Sequence, residues 1–199
     1  TVLEVNANPD LTCIYVGDSV IGTTSLDENQ FLSDIPCADL LYTSIPDANF
    51  EQKLIDLGHD DVLDGTVLTA TVEVITELNV GNSGISDLTG IEAFTALFNL
   101  RVNNNHLTSL DVSMNTALAL LSVMNNQLTS LDVSANTALN QLYLENNPDL
   151  TCIYVGDNVF DEIGSIYLDE TQFVSDIPCA DLLYTSIPDA NFEQKLIDL

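Results

Sequence analysis

Between residues 78 and 147 the apolar and polar positions follow one recurring pattern. The string L-x-V-x-x-N returns at Leu100/Val102, Leu110/Val112/Asn115, Leu121/Val123/Asn126, Leu131/Val133/Asn136 and Leu142/Leu144/Asn147, and Leu78/Val80 falls in the same frame. Two stretches, LTSLDVSMNTALALLSVMNNQ (107–127) and LTSLDVSANTALNQLYLENNPD (128–149), are near copies at a 21-residue period. Alternation over so few residues predicts short strands, each with one apolar side. A single coil of this kind cannot bury that side alone, so neighbouring coils must stack.

A period of 20–29 residues with Leu at these places and Asn after the strand is the leucine-rich-repeat signature. The expected fold is a right-handed solenoid of coils about 21–22 residues long, with short parallel strands. The Asn residues (Asn82, Asn104, Asn126, Asn147 and Asn115, Asn136) are expected to satisfy backbone groups at the turns. LTCIYVGD (150–157) aligns with LTSLDVSAN, placing Leu150, Cys152 and Ile153 where Leu128, Ser130 and Leu131 stand. The periodicity stops there, so this reads as the last coil. At the other end, IPDANFEQKLIDLG predicts a capping helix that starts at Pro46 and Asp47. Its Phe50, Leu54 and Leu57 share one face, and Gly58 is the stop. Residues 67–80 read as strands leading into the repeats.

A longer repeat overlies the short one. NPDLTCIYVGD occurs at 8–18 and at 147–157, and Ser33–Leu57 is identical to Ser175–Leu199. The offsets are 139 and 142, so three residues are inserted between Phe160 and Tyr167. The chain then divides into 1–41, the end of a preceding module; 42–183, a complete module; and 184–199, the start of the next module's cap helix. Each end cap holds two cysteines. Four cysteines allow three connectivities; equal placement in both modules favours Cys13–Cys37 and Cys152–Cys179. Disulfides imply an oxidising, extracellular setting. The link ADLLYTSIP (38–46) lacks glycine and is apolar, which predicts docked modules with Leu40, Leu41 and Tyr42, and likewise Leu182, Leu183 and Tyr184, at the junction.

Charge narrows the function classes. There are 31 acids against three bases (Lys53, Arg101, Lys195), a net charge of −28, while 46% of residues are hydrophobic. A chain this rich in Leu, Ile and Val folds around a core and carries an acidic skin. With no basic patch to neutralise phosphates, nucleic acid is excluded as a partner. No run of 18 apolar residues occurs, so no membrane insertion is expected. No motif for a nucleophile, zinc or nucleotide phosphates appears, and an enzyme is not expected. His106 takes the slot of Gln127 one coil later, an exposed turn. His59 stands beside Asp60 and Asp61 after the helix.

Calcium is the candidate cofactor. Acids gather at Asp60, Asp61 and Asp64 and again at Asp157, Asp161 and Glu162; oxygen-rich loops suit this ion, although the spacing is not that of an EF-hand. Asp111 and Asp132 fall in one slot of adjacent coils, about 5 Å apart, where like charges repel unless cations or salt screen them. A solvated acidic face in salty surroundings explains these acids without a bound ion, and the sequence favours that explanation.

The series IPDANFEQ…LIDLG, GISDLTGIEAFTAL, LTSLDVSxNTAL…NNQ and LTCI with a cysteine cap resembles secreted leucine-rich-repeat proteins of Bacteroidetes-type bacteria, a group that includes adhesin-like surface proteins. The resemblance implies an extracellular or cell-surface setting. The near-identical modules and short link favour a structural role: a tandem array forming a stiff surface fibre, stalk or filament whose partners are neighbouring identical modules or subunits. The alternatives are a multivalent binding protein recognising a surface glycan or protein, and a calcium-stiffened adhesive stalk. The exposed slots, read as Thr, Ser, Asp, Ser and Asn with Tyr143 the only aromatic, give recognition little to work with.

Overall fold

The computed structural model describes residues 41–156 and 164–179, together with the backbone of four short strands: β1 (Leu3–Glu4), β2 (Cys13–Tyr15), β3 (Thr24–Ser25) and β4 (Phe31–Ser33). The described body opens with an antiparallel pair, β5 (Tyr42–Ser44) against β6 (Thr66–Leu68). Between them lies helix α1 (Ala48–Asp56), and after them a single turn, α2 (Thr69–Val72). The solenoid then winds through β7 (Glu77–Asn79), a 3-10 turn at Ile91–Ala93, β8 (Asn99–Arg101), β9 (Leu120–Ser122), β10 (Leu131–Asp132), β11 (Gln141–Tyr143), β12 (Cys152–Tyr154), β13 (Ser165–Tyr167) and β14 (Phe173–Ser175). The chain is a leucine-rich-repeat solenoid.

Two parallel sheets form on different sides of the coil, ordered β13-β11-β9-β8-β7 and β10-β12-β14. Leu78, Leu100, Leu121, Leu142 and Ile166 pair in register along the first, and Leu131, Ile153 and Val174 along the second. The pairs Leu100↔Leu121 and Leu121↔Leu142 are 21 residues apart, whereas Leu142↔Ile166 spans 24. Between β1 and β3 the pair Leu3↔Thr24 spans 21, so relative to that stretch three residues are inserted between β11 and β13. Leu100, Leu121 and Leu142 are fully buried, as are Val102, Val123 and Leu144 two residues on.

Asn has two separate jobs. Asn82, Asn104, Asn125 and Asn146 stand at φ 58°, 56°, 55° and 60°, the left-handed region that Asn tolerates better than most residues. After the last three of these the next residue, Asn105, Asn126 or Asn147, is buried. Nδ2 of Asn126 donates to Val102 O and Val123 O at 3.0 and 2.9 Å, and its Oδ1 accepts from Leu107 N. Asn105 and Asn147 repeat this arrangement, and Gln172 continues the column with bonds to Leu144 O and Asn147 O. The expected single ladder therefore splits: Asn82 and Asn104 belong to the turn column, Asn126 and Asn147 to the buried one. Asn115 and Asn136 form a third column, donating to Ile91 O and Phe94 O and to Val112 O and Asn115 O.

Helix α1 seals the first coil. Asp47 is its N-cap, accepting from Asn49 N and Phe50 N. Phe50 and Leu54 are fully buried, with the Phe50 ring 6.2 Å from that of Phe94. Leu57 does not join them: it is 41% exposed, because the helix ends at Asp56 and Gly58 turns the chain at φ 77°. Residues 67–80 are not continuous strand either, since α2 interrupts them. At the far end the expected last coil is followed by another. β13 and β14 add a further layer, and Cys152–Cys179 then ties that layer to the coil before it.

Candidate recognition face and the placement of the predicted sites

Period-two alternation along each strand sends one residue into the core and its neighbours outward. On the five-stranded sheet this sets up three outward rows. One is Glu77, Asn99, Leu120, Gln141 and Ser165; the second is Asn79, Arg101, Ser122, Tyr143 and Tyr167. Just beyond the strand ends follow Gly81, Asn103, Met124, Glu145 and Asp169. The second row carries most of the chemistry. The Tyr143 and Tyr167 rings stack with centroids 4.6 Å apart and planes 5° apart. The Tyr143 hydroxyl donates to Gln141 Oε1 at 3.4 Å. Ser122 is buried and bonds Asn103 Oδ1 at 2.8 Å, and the same oxygen accepts from Met124 N, which fixes the middle of the face. Asp169 Oδ2 accepts from Asn146 N and so braces the edge beside Tyr167. Phe98, just before β8, is 54% exposed.

This face departs from the expected one. The slots read as Thr, Ser, Asp, Ser and Asn belong to 108–115 and 129–136, on another side of the coil from the five-stranded sheet. That sheet carries two stacked tyrosines and Arg101. Tyr167 escaped notice because the three-residue insertion moves it out of the 21-residue frame.

Among the described residues no three His, Cys, Asp or Glu side chains stand together as a ligand set. Asp157, Asp161 and Glu162 lie outside the described residues. Asp111 and Asp132 are each satisfied by a serine two residues on, Asp111 by Ser113 N at 2.9 Å and Asp132 by Ser134 N and Oγ at 2.9 and 2.6 Å. The Ser113 hydroxyl and N–H hold the Asp111 carboxyl below its ordinary value, the reverse of what unscreened repulsion from Asp132 would do.

Asp60, Asp61 and Asp64 line a groove on the N-terminal cap, of 770 Å³, together with Tyr42, Gly58, His59, Val62, Thr66, Leu68 and Thr71. Glu51, buried under it, accepts from the N–H groups of Asp64, Gly65 and Thr66 and so shapes the loop. Asp60 Oδ2 is buried without a partner. Burial pushes the Asp60 carboxyl up, and the charges of Glu51, Asp61 and Asp64 add to the rise against the single N–H of Asp61. His106 is exposed, its N–H donating to Ile85 O as Gln127 N donates to Leu107 O.

Cys152 and Cys179 form the expected disulfide. The side chains of Cys13 and Cys37 lie outside the described residues, as do Leu40, Leu182, Leu183 and Tyr184. Leu41 and Tyr42 are 74% and 51% exposed.

Known proteins match the chain in part. No family model matches it. Internalin J of Listeria monocytogenes serotype 4b (strain F2365) is 32% identical over 126 residues, which cover 57% of this chain and 13% of that protein. The functional domain of InlJ from Listeria monocytogenes, which includes a cysteine ladder, superposes with a TM-score of 0.47 at 26% identity over 60% of this chain and 35% of that one. An internalin (inlF) from Listeria monocytogenes strain 4b F2365 gives 0.49 at 23% identity over 68% and 46%. The likeness reaches outside the Bacteroidetes-type group that the motifs resemble. No helix among the described residues is long and apolar enough to cross a membrane.

Proposed function

We propose that the chain is part of an extracellular, surface-borne array of leucine-rich-repeat modules, each offering its five-stranded sheet face to a protein partner. The observation that carries this reading is how that face differs between modules. The register of β1 with β3 aligns Glu4 and Ser25 with Tyr143 and Tyr167 of β11 and β13. In sequence Leu3 matches Leu142 and the next residue changes from Glu to Tyr, while Thr24 stands for Ile166 and Ser25 for Tyr167. The strand positions of Tyr143 and Tyr167 hold Glu4 and Ser25 in the earlier copy, and positions that change in this way are suited to recognition. Tyr and Arg are the side chains that dominate protein interfaces. The similarity to internalins supports a surface-binding role, and the Cys152–Cys179 bridge supports an oxidising setting. The proposal includes no catalytic step and no calcium.

The test is binding of the wild-type chain and a Tyr143→Ala/Tyr167→Ala variant to immobilised extracellular-matrix proteins and to a glycan array. A protein ligand whose affinity falls at least about thirtyfold in the variant, as expected for loss of two aromatic anchors, supports the reading. Binding indifferent to the substitutions, or confined to glycans, refutes it.

A second reading, a stiff structural array, is favoured by one observation: Ser33–Leu57 and Ser175–Leu199 are identical across both junctions. The two readings are compatible, since a rod can carry the faces.

A further inference from the structure

The large apolar side chains left exposed are concentrated at the two ends of the described body. Leu41, Tyr42, Leu57, Val62 and Leu63 are 74%, 51%, 41%, 42% and 52% exposed on the N-terminal cap. Phe173 and Ile177, at 39% and 46%, belong to the end coil, as does Tyr167, which stands on the sheet face and not on the proposed docking surface. Only Val74, Phe98 and Met114 are exposed between these ends among the described residues. A stray apolar side chain is ordinary; two clustered ends mark surfaces that meet something.

The sequence says what meets the N-terminal cap. β2 pairs with β4 in the register of β12 with β14, so Phe31 stands where Phe173 does and Cys37 where Cys179 does. Cys179 is tied to the end coil through Cys152. From Cys37 to Leu41 the chain advances four residues, at most ~14 Å when fully extended. A Cys13–Cys37 bridge like that of Cys152 and Cys179 would tether the preceding end coil within that reach of the cap. We propose that the groove lined by Tyr42, Val62, Leu68 and Thr71 seats that end coil, with Phe31, Ile35 and Leu40 filling it, so that consecutive modules dock end to end. The identity of 33–57 with 175–199 fits, because this stretch covers the end of the coil, the cap cysteine, the link and the cap helix at once. This proposal does not rest on the recognition reading, since the groove and the sheet face share no residue.

Charge gives docking a signature. Asp60, Asp61 and Asp64 line the groove, and the incoming coil brings Asp34, the counterpart of Asp176. Apolar contact is made here against like-charge repulsion, so added salt strengthens it, the reverse of an ion-paired interface.

The experiment is chymotryptic cleavage of the full chain at Leu40, Leu41 and Tyr42 in 50 and 500 mM salt. Three forms are compared: wild type, Val62→Asp/Leu63→Asp in the cap, and Val74→Asp as a control. Docking predicts cleavage at least about tenfold faster in the double variant than in wild type and control, and slower cleavage of wild type at high salt. Equal cleavage of wild type and double variant overturns the proposal. Should the double variant lose its circular dichroism, the salt dependence of the wild type alone decides: faster or unchanged cleavage at high salt refutes docking. Binding of a monovalent ligand by a single sheet face is read separately and is expected to be unchanged in Val62→Asp/Leu63→Asp.

Discussion

Asp47 ties the cap helix to the first coil, and replacing it with asparagine tests how. Its Oδ1 accepts from Asn49 N and Phe50 N at 2.9 and 3.1 Å, the usual work of an N-cap. Its Oδ2 accepts from Ser86 N, Ser86 Oγ and Asp87 N at 2.8, 2.8 and 3.0 Å, about 40 residues away in sequence. Asparagine keeps the first oxygen and replaces the second with an N–H₂ group that faces two backbone donors. The Ser86 hydroxyl can rotate to accept, but Ser86 N and Asp87 N lose their partner. Hydrogen bonds to a charged group contribute about 1.5–3 kcal/mol, and an orphaned buried donor costs about 1–3. These terms overlap, so Asp47→Asn is expected to cost about 2–3 kcal/mol. Asp47→Ala, which also removes the cap, costs about 4, and Ser86→Ala about 1. The assay is urea unfolding followed by circular dichroism, with the slope checked for constancy. The pH dependence sharpens it. Burial pushes the Asp47 carboxyl up, but the bonds from Ser86, Phe50 and Asp87 outweigh it and hold the group below its ordinary value of 3.8. A lowered folded value means stability that is complete above the unfolded value and lost as pH falls from there through the folded one. The gap between wild type and Asp47→Asn should thus be constant near neutrality and close in acid below about 3.8. A gap under about 0.5 kcal/mol at pH 7 would mean that the two oxygens are not what joins cap to coil.

Other consequences can be checked in the same way. Gly90→Ala should lower stability by more than about 3 kcal/mol in urea, because Gly90 holds φ 103° and a Cβ there would meet Ile45 Cδ1 at 2.4 Å and Ser44 O at 2.6 Å. Asp60→Asn should raise the urea midpoint at pH 7. The raised carboxyl of Asp60 contributes stability that is whole below the unfolded value and lost as pH rises through the folded one, so the gain should vanish in acid. Asn126→Ala should cost about 3 kcal/mol, since three buried backbone groups lose their partner. Replacing Cys152 and Cys179 together with serine opens a loop of 27 residues and should cost about 3.5 kcal/mol by chain entropy, with an unchanged circular dichroism spectrum at low denaturant.

The 21-residue period carried the solenoid and its core leucines, because burial on one side of a short strand leaves a strict apolar mark, and the start signal at Pro46 and Asp47 with the helical spacing of Phe50 and Leu54 carried the capping helix. It could not say which strand faces which way. L-x-V recurs about every ten residues, once on each side of the coil, so Leu110/Val112 and Leu121/Val123 look alike while lying on different sides. The same ambiguity merged the turn and buried asparagines, which sit next to each other as Asn104–Asn105, Asn125–Asn126 and Asn146–Asn147. The Tyr143–Tyr167 pair was hidden by an insertion that shifts register without changing the fold, since a solenoid loop absorbs three residues at little cost. Glu51 gave no signal: a buried carboxylate at 2% exposure was legible only once the loop at 64–66 folded back over it.

The proposed recognition face and the proposed end-to-end junction would place opposite demands on sequence: Ser33–Leu57 recurs unchanged as Ser175–Leu199, while Glu4 and Ser25 are replaced by Tyr143 and Tyr167. An outward residue on a strand touches solvent and its cross-strand neighbours, so a position such as that of Tyr143 tolerates change, and in sequence Glu4 takes its place. A junction residue must fit two surfaces at once, so a change on one side leaves a void or a clash on the other. Stiffness then matters for binding. Linked sites gain from one another only when the link lets both engage, and the gain is greatest when the spacing matches the target. A docked junction fixes the distance between successive faces near that of one module, which rewards partners spaced to match and gives little to single copies. A loosely tethered chain would bind any spacing with a smaller gain. The affinity of a multi-module chain for a clustered partner should therefore fall when Val62 and Leu63 are charged, although neither residue lies on the face that binds.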